Sequence, residues 1–225
     1  RRSRRSVSRN GPAQVLLMPV VSARQLKTLL WVGLSAPLAW LLVRICMELR
    51  QQNSGLGAEP SEALLHYLGE WALIMLLFAF AVSPLRRRMG WLALGRNRRL
   101  VGLFAFTYVA LHVLTYVGLY AQFKLAEVID DFVHRPYITV GIAAFFALSL
   151  MALTSTQGWR RRLQKNWQRL HWLIYAAVPL AVVHLLWLRK DSTLDAVIYL
   201  MVLIGLLGER AAFFWQRHQA GQNNR

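Results

Sequence analysis

The sequence predicts an all-α membrane protein, a six-helix transmembrane bundle with both termini in the cytoplasm. Three observations lead there. The 225-residue chain is 56% hydrophobic, with a mean hydropathy of +0.35, too apolar for an ordinary soluble domain. Its apolar residues gather into six segments, about 28–47, 71–85, 100–121, 137–154, 170–188 and 194–210, at or near the length a helix needs to cross a bilayer. Of the 27 Lys and Arg residues, 21 lie in segments 1–27, 86–99, 155–169 and 209–225, where Glu209 is the one acid, while the other nine acids lie around the alternate connections. The positive-inside rule puts the basic segments in the cytoplasm.

A net charge of +17 would suggest nucleic acid in a soluble protein, but short basic runs between apolar segments are the mark of membrane topology. The single cysteine, Cys46, excludes an internal disulfide, a Cys-ligated iron–sulfur cluster and a Cys-rich zinc site. Redox chemistry here requires histidines.

Taken in order, residues 1–27 read as a basic cytoplasmic arm, disordered in isolation, and 28–210 as the transmembrane domain, with 211–225 a cytoplasmic tail. In the first helix Arg44 has Glu48 one turn later, which suits either an i, i+4 pair with a snorkelling arginine or a partner for a cofactor carboxylate. His66 precedes the second apolar segment, where H-x-x-G-E opens a helix near the edge of any haem held by the deeper histidines, and it suits either a further metal ligand or an interfacial histidine. The third segment centres on His112, an imidazole deep in hydrocarbon that serves either as interhelical hydrogen-bond partner or as metal ligand. Tyr108, Thr115 and Tyr116 share its helical face, and Gly102 and Ala105 offer room for a flat cofactor or a second helix. Glu127, Asp130 and Asp131 fall on an amphipathic stretch between the third and fourth segments, a solvated loop or a partner-docking surface. His134 and His218 receive no role, and no internal repeat stands out.

Helix rise gives each histidine a depth. His112 lies 12 residues from the inner end of its segment and His184 lies 14 into its own, roughly 18 and 21 Å. The two are level enough to clamp one b-type haem as axial ligands. His171 lies 13 residues before His184, on a different face of a regular helix unless Pro179 alters the phase. Arg98 and Arg99 at the inner mouth of the His112 helix suit either anionic lipid or the phosphate of a flavin mononucleotide. Arg160, Arg161, Arg162, Lys165 and Arg169, with Trp159, Trp167 and Trp172, form a second basic inner loop facing membrane lipids.

Several motifs together carry a family resemblance: GLGAEP before HYLGEW, SPL, RNRRLVGL before LHVLTY, RPYITVG, LTSTQ, and WQRLHWLIY followed by VHLLW. Over roughly residues 22–210 the chain resembles the MsrQ (YedZ) family, within the ferric-reductase-like transmembrane group. The resemblance implies a multi-pass subunit of the bacterial inner membrane with b-type haem, one or two, and FMN. It implies electrons from the quinone pool or a cytoplasmic flavin reductase, delivered to a periplasmic molybdenum-cofactor subunit that reduces protein-bound methionine sulfoxide. The sulfoxide-reducing centre would then lie on that partner. Position by position, the family's haem histidines fall on His112, His171 and His184, and its flavin-associated arginines on Arg98 and Arg99. Two-haem relatives pair histidines 14 positions apart on each of two helices; here position 14 before His112 is Arg98, which favours one outer haem and an inner flavin. The rival functions are a ferric reductase or cytochrome b anchor and, in another class, a transporter or assembly factor that binds no haem.

Overall fold

The computed structural model describes residues 22–51, 55–188 and 193–222. Most of the proposed basic arm lies outside the described residues. Helix α1 (Ala23–Arg50) starts on a reciprocal cap: Gln25 N–H donates to the Ser22 hydroxyl at 3.2 Å and Ser22 N–H to the Gln25 side chain at 2.9 Å. Helix α2 (Pro60–Met89) opens with proline, whose missing N–H costs nothing there, and closes on Gly90 at φ 67°. The short α3 (Leu92–Arg96) leads into α4 (Arg98–Thr115), which ends in a π turn over Tyr116–Tyr120.

Helix α5 (Leu125–His134) is amphipathic, with Leu125, Ile129, Phe132 and Val133 exposed, as for a helix lying in the membrane interface. Helix α6 (Pro136–Leu153) begins at a second N-terminal proline. The opposite connection carries α7 (Gln157–Leu163) and α8 (Lys165–Leu170), then a 3-10 turn at His171–Leu173, α9 (Ile174–Leu188) and α10 (Thr193–Gln222).

Among the described residues six spans are long and apolar enough to cross a membrane: α1, α2, Arg98–Tyr120, α6, Lys165–Leu188 and Leu194–Ala220. The second and last exceed their apolar segments, and α10 runs on past residue 210, where the tail was expected to begin. Hydropathy marks where a helix meets lipid, not where its hydrogen bonds stop.

The bundle is built from two helix pairs, α2 against α4 and α6 against α9. One core gathers Leu68, Ala72, Met75, Val101, Ala105 and Tyr108 against Leu34 and Leu41 of α1. The other joins Leu76 and Phe80 of α2 to Leu148, Ala177, Val178 and Val182. Large apolar side chains such as Trp40, Leu42, Phe146 and Met201 face outward, as they do where lipid is the solvent.

Polar groups within the bundle are tied to backbone. The Tyr108 hydroxyl donates to Leu34 C=O at 2.8 Å and that of Tyr67 to Pro37 C=O at 2.9 Å, fixing α1 to the first pair. Arg44 Nε donates to Gly55 C=O at 2.8 Å, and Glu48 accepts from the Gly55 and Leu56 N–H groups at 3.1 and 2.8 Å. Both side chains therefore hold the α1–α2 connection.

At the opposite end Arg210, only 6% exposed, donates to the Tyr175 hydroxyl and to Phe80 C=O, each at 2.7 Å, with its guanidinium 3.9 Å from the centre of the Phe80 ring. Arg87 pairs with Glu209 at 2.5 Å, a second link between α2 and α10. Arg210→Met removes two charge-assisted bonds and leaves the Phe80 carbonyl unpaired, a loss of about 3 kcal/mol; thermal unfolding in detergent should show a lowered transition temperature.

Candidate cofactor site between the helix pairs

A cavity of about 400 Å³ lies between the two pairs, lined by α2, α4 with its π turn, α6 and α9. That volume falls in the range of small-molecule and cofactor sites, about 300–1,000 Å³. Leu73, Leu76, Val109, Phe145 and Leu148 give it apolar walls, and polar groups gather toward the end that carries α5.

His112 and His184 face each other across it, ring centres 6.4 Å apart and ring planes at 75°. His112 Nδ1 lies 3.0 Å from Leu65 C=O on α2, and His184 Nδ1 lies 2.7 Å from Tyr137 C=O on α6. A carbonyl only accepts, so each Nδ1 carries the proton, and Nε2 is left with a free lone pair on the other edge of the ring.

Glycines permit this approach. A Cβ on Gly69 would sit 3.0 Å from His112 Cε1, and one on Gly141 only 2.8 Å from His184 Nδ1. Leu65, Gly69 and His112 recur as Tyr137, Gly141 and His184, each 72 positions later. In both halves 47 residues separate the histidine from the carbonyl it bonds. The sequence showed no obvious repeat because Gly, His and a few small or apolar positions (Ala72 and Ala144, Leu76 and Leu148, Ala105 and Ala177) are the main correspondences.

The pair passes a test of fit to a metal held between two imidazoles. Metal–imidazole bonds of about 2 Å from opposite sides put the ring centres about 6.3 Å apart, against the 6.4 Å observed. The Nδ1–H to carbonyl bond is the usual device that fixes tautomer and ring orientation in a ligating histidine. Among the described residues no group of three or more His, Cys, Asp or Glu side chains could hold a metal ion.

The other candidates fall in different places. His66 lines the same cavity, but its half-exposed ring lies 4.0 Å from Glu62. His171 is not among the cavity's lining residues; its ring packs on Trp167 with centres 4.0 Å apart, and its buried Nε2 has no hydrogen-bond partner. A 3-10 turn at His171 alters the phase ahead of Pro179. Arg98 and Arg99 are both exposed, and Arg98 lies within electrostatic reach of His171 and Arg210.

Tyr116 lines the cavity and donates to Asp131 at 2.7 Å, but Tyr108, expected beside His112, turns to α1, and Thr115 is not a lining residue. Gly102 meets nothing that a Cβ would touch, so no helix approaches it closely. Arg44 is engaged at Gly55 and is no carboxylate partner for this cavity. Arg135, the first residue of RPYITVG and given no cofactor role from the sequence, reaches the lining instead.

With this geometry in place, the chain can be set beside known proteins. The family described as ferric reductase like transmembrane component matches residues 67–182. The chain is 40% identical over 200 residues to the protein-methionine-sulfoxide reductase heme-binding subunit MsrQ of Xanthomonas campestris pv. campestris (strain 8004), covering 89% of this chain and 90% of that one. It is 42% identical over 180 residues to the protein of the same name from Caulobacter vibrioides, covering 80% and 83% of the two chains. The chain belongs to the MsrQ family. Like other MsrQ proteins it is a multi-pass bacterial membrane protein with a ferric-reductase-like transmembrane fold.

In this MsrQ chain, ¹⁵N NMR of histidine-labelled protein without cofactor should show His112 and His184 as Nδ1–H tautomers. Gly141→Ala should disturb the His184 resonances and leave those of His112 largely unchanged.

Proposed function

We propose that this chain is the haem-carrying electron-transfer subunit of a bacterial protein-methionine-sulfoxide reductase system, with His112 and His184 as the axial ligands of one b-type haem. The observation that carries the reading is the pair of imidazoles across the cavity, each bonded through Nδ1 to a carbonyl, at a ring-centre separation of 6.4 Å suited to a single iron. The names of the relatives, which describe a heme-binding subunit of that reductase, supply the system.

His112 and His184 would hold the haem, which would supply one-electron iron chemistry tuned by the burial of the pair and by the hydrogen bonds behind each imidazole. The Leu65 and Tyr137 carbonyls make both imidazoles stronger donors, which favours the ferric state and lowers the potential. Apolar walls exclude water and oppose the extra positive charge of that state.

Charge bias sets the direction. The α5 side, low in Lys and Arg, is taken as periplasmic, and the face carrying α3, α7 and α8 as cytoplasmic. Electrons enter from quinol or a cytoplasmic flavin reductase and leave to a periplasmic molybdenum-containing subunit that reduces methionine sulfoxide in oxidised proteins. On the entry side Arg98 and Arg99, both exposed, with Arg210 and His171 in electrostatic reach of Arg98, present positive charge suited to the phosphate of FMN.

His112→Ala and His184→Ala should each abolish the six-coordinate bis-imidazole spectrum of the purified protein; a full Soret band retained in both would defeat the assignment. Deleting the chain should lower methionine-sulfoxide reduction by the partner in cells by at least tenfold. Unchanged reduction alongside lost ferric reductase activity would favour the ferric reductase alternative.

A further inference from the structure

The two helix pairs present equivalent histidines but unlike rims, and the difference is one of charge. On α2 the cavity lining includes Glu62, His66 and Glu70, so this rim carries two carboxylates. Across from it the lining includes Tyr116, Tyr120, Arg135 and Tyr137. Among the described residues that line the cavity, Arg135 is the one permanent cation. The position equivalent to Arg135 in the first half, 72 residues earlier, is Ala63. The two helix pairs therefore supply the ligands symmetrically and the cation once.

Arg135 is held rather than free. Its Nε pairs with Asp131 Oδ1 at 3.0 Å, and Asp131, 9% exposed, also accepts from the Tyr116 hydroxyl at 2.7 Å. The Nη end makes a longer contact of 3.5 Å to the Tyr137 hydroxyl. A guanidinium has five N–H donors in a planar fork, so a second carboxylate can bind the Nη end while Asp131 keeps the Nε side. Arg135 also borders a second, polar cavity of about 250 Å³ with Gln122, Lys124 and Glu127, which places it between the cofactor cavity and the surface on the α5 side.

Resting on the haem reading above, we propose that Arg135 anchors a propionate of the haem, that Asp131 and Tyr116 position its guanidinium, and that the propionate edge turns to the α5–α6 rim and away from Glu62 and Glu70. A cation at this edge favours the reduced haem, which carries one more electron, and so raises the potential.

The test is spectroelectrochemical titration of the full chain carrying either haem b or its dimethyl ester, in which both propionates are masked. The variants are R135K and R135Q, the latter also combined with D131N so that no buried acid is stranded. With haem b, R135Q and R135Q/D131N should shift the midpoint potential to more negative values, and R135K should recover most of the shift. With the dimethyl ester the shift from wild type to R135Q should be much smaller than with haem b, because the propionate charge that Arg135 offsets is gone and only the through-space effect of the cation remains. An equal shift with both haems, or none with haem b while the bis-imidazole spectrum is intact, would overturn the Arg135 assignment alone. Absence of that spectrum in the wild type would instead overturn the haem reading.

Discussion

The site depends on a hydrogen bond from an imidazole Nδ1 to a main-chain carbonyl on the neighbouring helix, made twice. In a transmembrane helix the carbonyls are already engaged with the i+4 N–H groups, but each oxygen has a second lone pair. Leu65 and Tyr137 offer theirs to His112 and His184. Access requires the ring to lie against the helix one turn on, and Gly69 and Gly141 stand where a methyl group would intrude. Tautomer, orientation and aim of the free nitrogen all follow from that contact.

This arrangement also accounts for the architecture around it. Each histidine needs a rigid partner helix, which explains why α2–α4 and α6–α9 are the principal pairs and why the cavity lies between them. The other polar groups hold this frame. Tyr67 and Tyr108 tie α1 to the first pair, and Arg210 and Arg87 tie α10 to α2. In lipid these bonds carry much of the positional information, because hydrophobic burial gives little preference for one helix neighbour over another.

The sequence made some of this legible. Apolar length revealed six spans, and counting residues from the helix ends put His112 and His184 at similar depth, because rise per residue is nearly invariant. What it hid is which neighbour each face meets. Tyr108 lies one turn from His112, yet its hydroxyl goes to Leu34 on α1. Arg44, which suited either a pair with Glu48 or a cofactor partner, secures a loop. Arg135 and Arg210 were absorbed into a charge count that tells sides apart but not the few arginines that turn inward. The glycine signal was present, since Gly69 and Gly141 precede their histidines by the same 43 positions, but two equal spacings among so few matching residues become visible only when the rings are seen against them.

The most direct measurement is low-temperature EPR of the purified ferric protein with haem quantified per chain. The account predicts about one haem, low-spin and bis-imidazole, with the strongly anisotropic signal that near-perpendicular ring planes produce. A chain without haem, or a high-spin five-coordinate signal, would contradict it.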